Sequence, residues 1–280
     1  MKRMSSVNPS MQVAILAGGL GTRLREETEV RPKPMVMIGN RPIIWHIMAR
    51  YAMFGFNRFV ICLGYKGDVI RDYFLNYRYF HCDFTVALGT NEVETHNGHE
   101  EHNWRVTLAE TGAETMTGGR LRRIAKYIDS PLFLATYGDG VANVDIAALV
   151  ESHRRSGKLA TVTAVRPSSR FGELSVQEGL VSSFEEKPQV GNSWINGGYF
   201  VFNREVLNLI SGDSDKLETD VLKKLADMRE LAVYQHQDFW QCMDNLREME
   251  LLNKMWQSGR APWLETAEAP SLQAVSLKAG

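Results

Sequence analysis

Gly18-Gly19-Leu20-Gly21, followed by Thr22, Arg23 and Leu24, is a stretch whose backbone can approach a ligand closely and turn its N–H groups toward it. Thr22 adds a hydroxyl, and Arg23 adds a fork of donors that matches phosphate oxygens. Arg31-Pro32-Lys33-Pro34-Met35 then holds a lysine between two prolines, on a stiff segment that aims its ammonium. Together these residues suit a ligand with several phosphate oxygens. The loop is not a Walker loop, because Gly21 is followed by Thr22-Arg23 and not by Lys and Ser/Thr. Nor is it a dinucleotide fingerprint, whose third glycine would fall on Leu24.

Other chemistry-capable residues are less decisive on their own. Asp139 lies in Gly138-Asp139-Gly140, just past the apolar run Leu132–Tyr137. Open α/β sheets put ligands at that end of a strand, although an aspartate between glycines also serves a plain turn. Met116-Thr117-Gly118-Gly119-Arg120-Leu121 opens a helix and is either a simple helix start or a polar-ligand site. Glu185-Glu186-Lys187-Pro188 reads as a charged turn, and Asn196-Gly197-Gly198 as a loose one. Asp244 suits the N-cap of the last helix. His96, His99 and His102 share a polar loop over residues 90–103; without cysteine, their spacing favours a solvated loop or a subunit contact over a metal site.

These residues need elements to position them. Gln12–Ala17, Phe59–Leu63 and Phe84–Leu88 read as buried strands. Between them lie a helix opened by Pro42 and ended near Gly55, and another from about Asp68 to Tyr77. This β-α-β-α-β rhythm predicts a doubly wound, mostly parallel sheet. Arg105–Glu110, Leu132–Tyr137 and Ala160–Val165 continue as strands, with helices after Leu121 and over Asp145–Ser156. From Gly172 the pattern changes to a hairpin, Glu173–Gln177 with Leu180–Phe184, then a strand at Ile195–Phe202. Helices at Arg204–Ile210 and about Thr219–Met228, a strand at Leu231–Gln235 and an amphipathic helix at Leu246–Trp256 follow. Residues 1–10 read as a disordered leader, and the chain from Gly259 as a poorly ordered tail.

At 280 residues, with 44% hydrophobic and 23% charged residues, the composition is that of a globular protein. The net charge of −1 provides no broad field toward nucleic acid or membrane. Any anion binding must therefore come from local sites. Cys62, Cys82 and Cys242 are odd in number and far apart, as expected of reduced thiols in a cytoplasmic protein. No apolar run reaches the ~20 residues of a membrane span, and the first ten residues lack a signal-peptide core.

The strand, GGLGTRL and PKPM at this spacing resemble the signature of the sugar-phosphate nucleotidyltransferases. From about Met11 to Trp263 the order of motifs is similar to the glucose-1-phosphate cytidylyltransferases, including Trp45-His46-Ile47-Met48, Thr136-Tyr137-Gly138-Asp139-Gly140-Val141, Arg170-Phe171-Gly172 and Phe239-Trp240-Gln241. Cys242 departs from the pattern, which has proline before Met-Asp; Glu173 and the loop over 89–103 also differ. The resemblance implies a Rossmann-like nucleotide-diphospho-sugar transferase domain over 11–263, with a tail over 264–280. Its nucleotide half would span about 11–165. Its sugar-phosphate half, about 166–263, would contain the inserted hairpin and C-terminal helices.

The resemblance also implies the site. Leu16, Ala17, Gly18, Gly19, Leu20, Gly21, Thr22, Arg23, Lys33, Thr115, Gly119, Arg120 and Gly138 would bind the nucleotide. The 111–120 segment would serve as the base lid, with exposed groups at Gly118 and Gly119. Glu186, Lys187, Asn196 and Gly197 would bind the sugar phosphate, and Asp139 and Asp244 a Mg²⁺ ion. Lys33, Arg23 and Asp139 would be the catalytic residues. The implied reaction joins CTP and glucose 1-phosphate in a cytoplasmic homo-oligomer serving dideoxyhexose or O-antigen-type polysaccharide synthesis. A nucleotidyltransferase using dTTP, UTP or another sugar stays open. So do a catalytically silent nucleotide-sugar sensor, which could dispense with Asp139 and Asp244, and an NAD-dependent dehydrogenase, which the missing third glycine disfavours.

Overall fold

The computed structural model describes residues 10–98, 101, 103–167, 173–177, 180–185 and 194–265. Seven strands form one sheet: β1 (Gln12–Leu16), β2 (Arg58–Leu63), β3 (Arg105–Glu110), β4 (Leu132–Tyr137), β5 (Ala160–Val165), β6 (Ile195–Asn203) and β7 (Leu231–His236). Their order is β7-β5-β6-β4-β1-β2-β3. β1 runs parallel to β2 and β4, β2 to β3, and β5 to β7. β6 runs antiparallel between β4 and β5.

The period-2 alternation along each strand feeds two cores, one on each face. Val13, Ile15, Phe59, Ile61 and Val201 face one side and pack with Ile43, Ile47, Met48 and Tyr51 of helix α1 (Ile43–Ala52). Ala14, Leu16, Val60, Phe200 and Phe202 face the other side and meet Leu121 of α2 (Thr117–Arg123) together with Val221 and Leu225. A sheet covered on both faces must be apolar on both, so β1 is buried along its whole length.

The expected third strand lies elsewhere. Phe84–Ala87 pairs antiparallel with Glu92–Thr95 in a separate, exposed ribbon. Its partner follows after a four-residue connection, whereas joining the parallel sheet needs a long crossover. β3 takes the place beside β2. The hairpin at 173–185 has the predicted antiparallel pairing. The leader expected over residues 1–10 lies outside the described residues except for Ser10, whose carbonyl accepts from Arg58.

The expectation of a loose tail fails over 261–265. Pro262–Leu264 forms a single helical turn, and Trp263 is fully buried. Its indole Nε1 donates to Nδ1 of His46, 3.1 Å away, and His46 Nε2 lies 3.0 Å from the Ile38 carbonyl. An indole can only donate, so His46 is neutral, with its proton on Nε2. Arg50 also ties the segment down, donating to the carbonyls of Glu265, Asn143 and Val144.

Burial pushes the His46 value from 6.5 down to about 4. The unfolded chain therefore binds the extra proton first, and stability contributed by neutral His46 is complete above about pH 6.5 and lost as pH falls toward 4. The gap corresponds to about 3 kcal/mol. Urea denaturation at about pH 7 and about pH 4.5 should show this loss in the wild type and a smaller one in His46→Gln. Equal pH dependence in the two proteins would show that the latch does not titrate.

Candidate active site at the carboxyl edge of the sheet

The glycine loop springs from the end of β1 between its parallel neighbours. Ala17 donates to the Cys62 carbonyl of β2, and Gly138, past β4, donates to the Leu16 carbonyl. Gly21 has a φ of +64°, which turns the chain into the short helix carrying Arg23. Gly18 passes so close to Arg120 that an added Cβ would lie 2.2 Å from its guanidinium. Lys33 follows Pro32 in a single tight turn, Lys33–Met35, which fixes its Cα and aims the side chain inward.

Asp139 and Asp244 meet because their flanking segments pair. Gly140–Ala142 runs antiparallel to Trp240–Cys242, with Cys242 opposite Gly140. Met243 N–H donates to the Asp139 carbonyl at 2.8 Å, which extends the pairing to the two aspartates. Asp244 is not the helix cap: Asn245 caps α3 (Leu246–Gln257) by accepting from Glu248 N–H at 3.0 Å. The Asp244 carboxylate is thereby left for the site.

Lys33 Nζ lies 2.7 Å from Asp139 Oδ2 and also contacts Asp244 Oδ1, while Arg23 reaches Asp244 Oδ2 at 2.5 Å. Burial acts to lower the Lys33 value, but the charge and hydrogen bonds of Asp139 and Asp244 outweigh it and hold the ammonium above its usual range. Cys242 beside them is pushed up to about 12, by burial first and then by Glu248, Asp244 and Asp139, so it is no thiolate nucleophile. Two carboxylates converging on one cation position form the hard-oxygen donor set that a small divalent ion prefers.

Two cavities flank this cluster. One, of about 320 Å³, is lined by Leu16, Ala17, Gly18, Gly19, Gly21, Thr22, Arg23, Lys33, Pro34, Thr115, Met116, Thr117, Arg120, Tyr137, Gly138 and Asp139. The other, of about 350 Å³, is lined by Arg23, Thr136, Tyr137, Asp139, Gly140, Asn196, Gly197, Gly198, Tyr199, Trp240, Cys242 and Asp244. Arg23, Tyr137 and Asp139 border both.

A family model described as Nucleotidyl transferase matches residues 12–276. The chain is 50% identical over 254 residues to the glucose-1-phosphate cytidylyltransferases of Salmonella typhi and Salmonella typhimurium, covering 90% of this chain and 98% of each relative. It is 42% identical to a probable glucose-1-phosphate cytidylyltransferase of Bacillus subtilis, over 90% and 99% of the two chains. This chain belongs to the nucleotidyl transferase family, among the glucose-1-phosphate cytidylyltransferases. HddC from Yersinia pseudotuberculosis, solved in complex with GMP-PN, shares the fold, with a TM-score of 0.65, 23% identity, and coverage of 88% of this chain and 99% of that one. Nucleotidyl transferases of this family generally use a divalent metal, a nucleoside triphosphate and a sugar phosphate.

Most of the nucleotidyl transferase residues expected around the nucleotide line the first cavity, but two do not. Leu20 is 60% exposed and does not line it. Gly119 lies in α2 with its N–H donated to the Asp215 carbonyl at 3.1 Å. A Cβ at Gly118 or Gly119 would strike the backbone of Asp215 or Asp213. These glycines serve close packing, and the exposed amides and carbonyls expected of them for a base are not there. Glu186 and Lys187 lie outside the described residues; Asn196 and Gly197 line the second cavity.

The motifs do not show which partners their residues take, and Glu218 lies in none of them. Tyr137 donates to Glu218 at 2.6 Å, and Thr117 donates to the other oxygen of the same carboxylate at 2.8 Å. Trp240 donates to the Gly197 carbonyl at 2.8 Å. Such contacts join elements distant in sequence and have no local period.

Arg120 is buried and donates to the carbonyls of Gly18, Leu63, Gly112 and Ala113 and to the Thr111 hydroxyl. It thereby ties together the carboxyl end of β2 and the chain just past β1 and β3. A lysine offers no planar fork to repeat this. Arg120→Lys should lower the melting temperature and reduce kcat/KM about 10²-fold for every triphosphate accepted, as the phosphate loop shifts. A loss confined to CTP with an unchanged melting temperature would assign Arg120 to the base instead.

Proposed function

We propose that the chain transfers the cytidylyl group of CTP to α-D-glucose 1-phosphate, forming CDP-glucose and pyrophosphate with Mg²⁺. The observation that carries this reading is the shared wall of the two cavities. A triphosphate in one and a sugar phosphate in the other would meet at Arg23, Tyr137 and Asp139. The 50% identity to glucose-1-phosphate cytidylyltransferases supports this choice of substrates.

A glucose 1-phosphate oxygen attacks the α-phosphorus of CTP, the bond from that phosphorus to the β-phosphate bridging oxygen breaks, and pyrophosphate leaves in line. The attacking phosphate is already ionised near pH 7, so no general base is needed. Alignment and charge neutralisation do most of the work. Asp139 and Asp244 would hold Mg²⁺, which, when bound, neutralises phosphate charge. The amides of Gly18–Gly21 and Arg23 hold the leaving pyrophosphate, and Lys33 supports the charge that grows at the α-phosphate. Lys187 holds the incoming phosphate, while Glu186 and Asn196 serve sugar hydroxyls. Thr115, Met116 and Thr117 are the cavity residues available to the base. Cytosine selection rests on reading its N4 donor, which uracil and thymine replace with a carbonyl.

The product would feed nucleotide-sugar synthesis for dideoxyhexoses and O-antigen-type polysaccharide. The chain would work in the cytoplasm; among the described residues no helix is long and apolar enough to cross a membrane. Leu75 and Phe80 on the helices over 67–81, with Phe84 and Leu88 after them, are exposed apolar side chains that support a homo-oligomer.

A panel of triphosphates and hexose 1-phosphates should release pyrophosphate best with CTP and glucose 1-phosphate, by several orders of magnitude over UTP or dTTP. A preference for dTTP or UTP would overturn the cytidylyl assignment, and release with no pair would favour the silent sensor. Lys33→Ala should lower kcat about 10²–10³-fold. Lys187→Ala should mainly raise KM for the sugar phosphate. The reverse kinetic pattern would exchange the two lysine roles.

A further inference from the structure

Lys33 is among the most constrained charges in the site. Its side chain is 9% exposed and contacts both aspartates, while Arg23 completes a group with two positive and two negative charges. Its backbone is fixed by Pro32, Pro34 and the tight turn, so only the side chain can move. Lys33 also lines the nucleotide cavity, which puts a bound phosphate within reach of its flexible stem.

We propose that Lys33 and the divalent cation compete for the same pair of carboxylates, so that the cation enters with the triphosphate and not ahead of it. This rests on the reading that Asp139 and Asp244 hold the metal. A bare divalent cation displacing Lys33 would leave a buried ammonium without a partner, which is strongly unfavourable. A cation carried by a triphosphate brings more negative charge than it neutralises. Lys33 and Arg23 can then turn from carboxylate to phosphate oxygens, and every charge stays paired throughout the exchange. Lys33 would thus keep the two carboxylates together in the free protein and reach the reacting phosphate when they are taken over.

The test is Mn²⁺ binding to the nucleotide-free protein, read by electron paramagnetic resonance of the unbound ion. Wild type should bind Mn²⁺ weakly, and Lys33→Met, which keeps the stem and removes the charge, at least about tenfold more tightly. That gain should vanish in the double variant Lys33→Met, Asp139→Asn. Equal affinity of wild type and Lys33→Met, lost in both on Asp139→Asn, overturns the exchange and leaves the metal reading standing. Tight binding that survives Asp139→Asn overturns both. If Lys33→Met does not fold, the wild type with ¹³C-methylated lysines serves. The Lys33 resonance should move with Mg²⁺ plus a non-hydrolysable CTP analogue and stay in place with Mg²⁺ alone; movement with Mg²⁺ alone overturns the proposal.

Discussion

A short antiparallel ribbon, Gly140–Ala142 against Trp240–Cys242, sets the geometry on which the candidate site depends. Asp139 directly precedes the first segment, Met243 and Asp244 follow the second, and the Met243 to Asp139 hydrogen bond continues the pairing to that end. Asp139 and Asp244 are thereby forced onto one cation position. Like charges that close would repel strongly. Lys33 and Arg23 make the arrangement tolerable, which explains why a lysine this buried stays protonated.

The rest of the molecule supports that ribbon from two sides. Parallel β1, β2, β3 and β4 deliver the glycine loop and Asp139 to the same edge, and Arg120 ties the ends of three of these strands with one planar group. Behind the ribbon, Arg50 on α1 donates to the Asn143 and Val144 carbonyls, next to the strand that follows Asp139. Through Glu265 and the Trp263–His46 contact, the same helix anchors the end of the described chain. The residues that position Asp139 are therefore coupled to packing at the far end of α1.

What the sequence revealed follows from how local each signal is. β1, the glycine loop and the Pro-Lys-Pro turn are contiguous, so their types and spacing suffice to mark them. Strand alternation places the two cores for the same reason. Phe84–Ala87 pairs outside the main sheet because an apolar run shows that a strand forms and does not show which strand it pairs with. Periodicity alone leaves Trp263 in a tail from Gly259, while the resemblance keeps it as the last domain residue; its partner, His46, is remote in sequence. Gly118 and Gly119 suit either a plain helix start or a ligand site in the sequence, and the backbone at Asp213 and Asp215 accounts for them. For Asp244 the sequence leaves a helix cap and a metal ligand both open, and Asn245, one residue on, fills the cap.

In the proposed reaction the two carboxylates delivered by one ribbon would share one metal ion where the two cavities meet. The most direct measurement is anomalous diffraction from crystals grown with Mn²⁺ and a non-hydrolysable CTP analogue. A shared ion gives a peak between the Asp139 and Asp244 carboxylates, in contact with the phosphates, with Lys33 Nζ moved onto a phosphate oxygen. A metal held away from both aspartates, with Lys33 still bridging them, would contradict it.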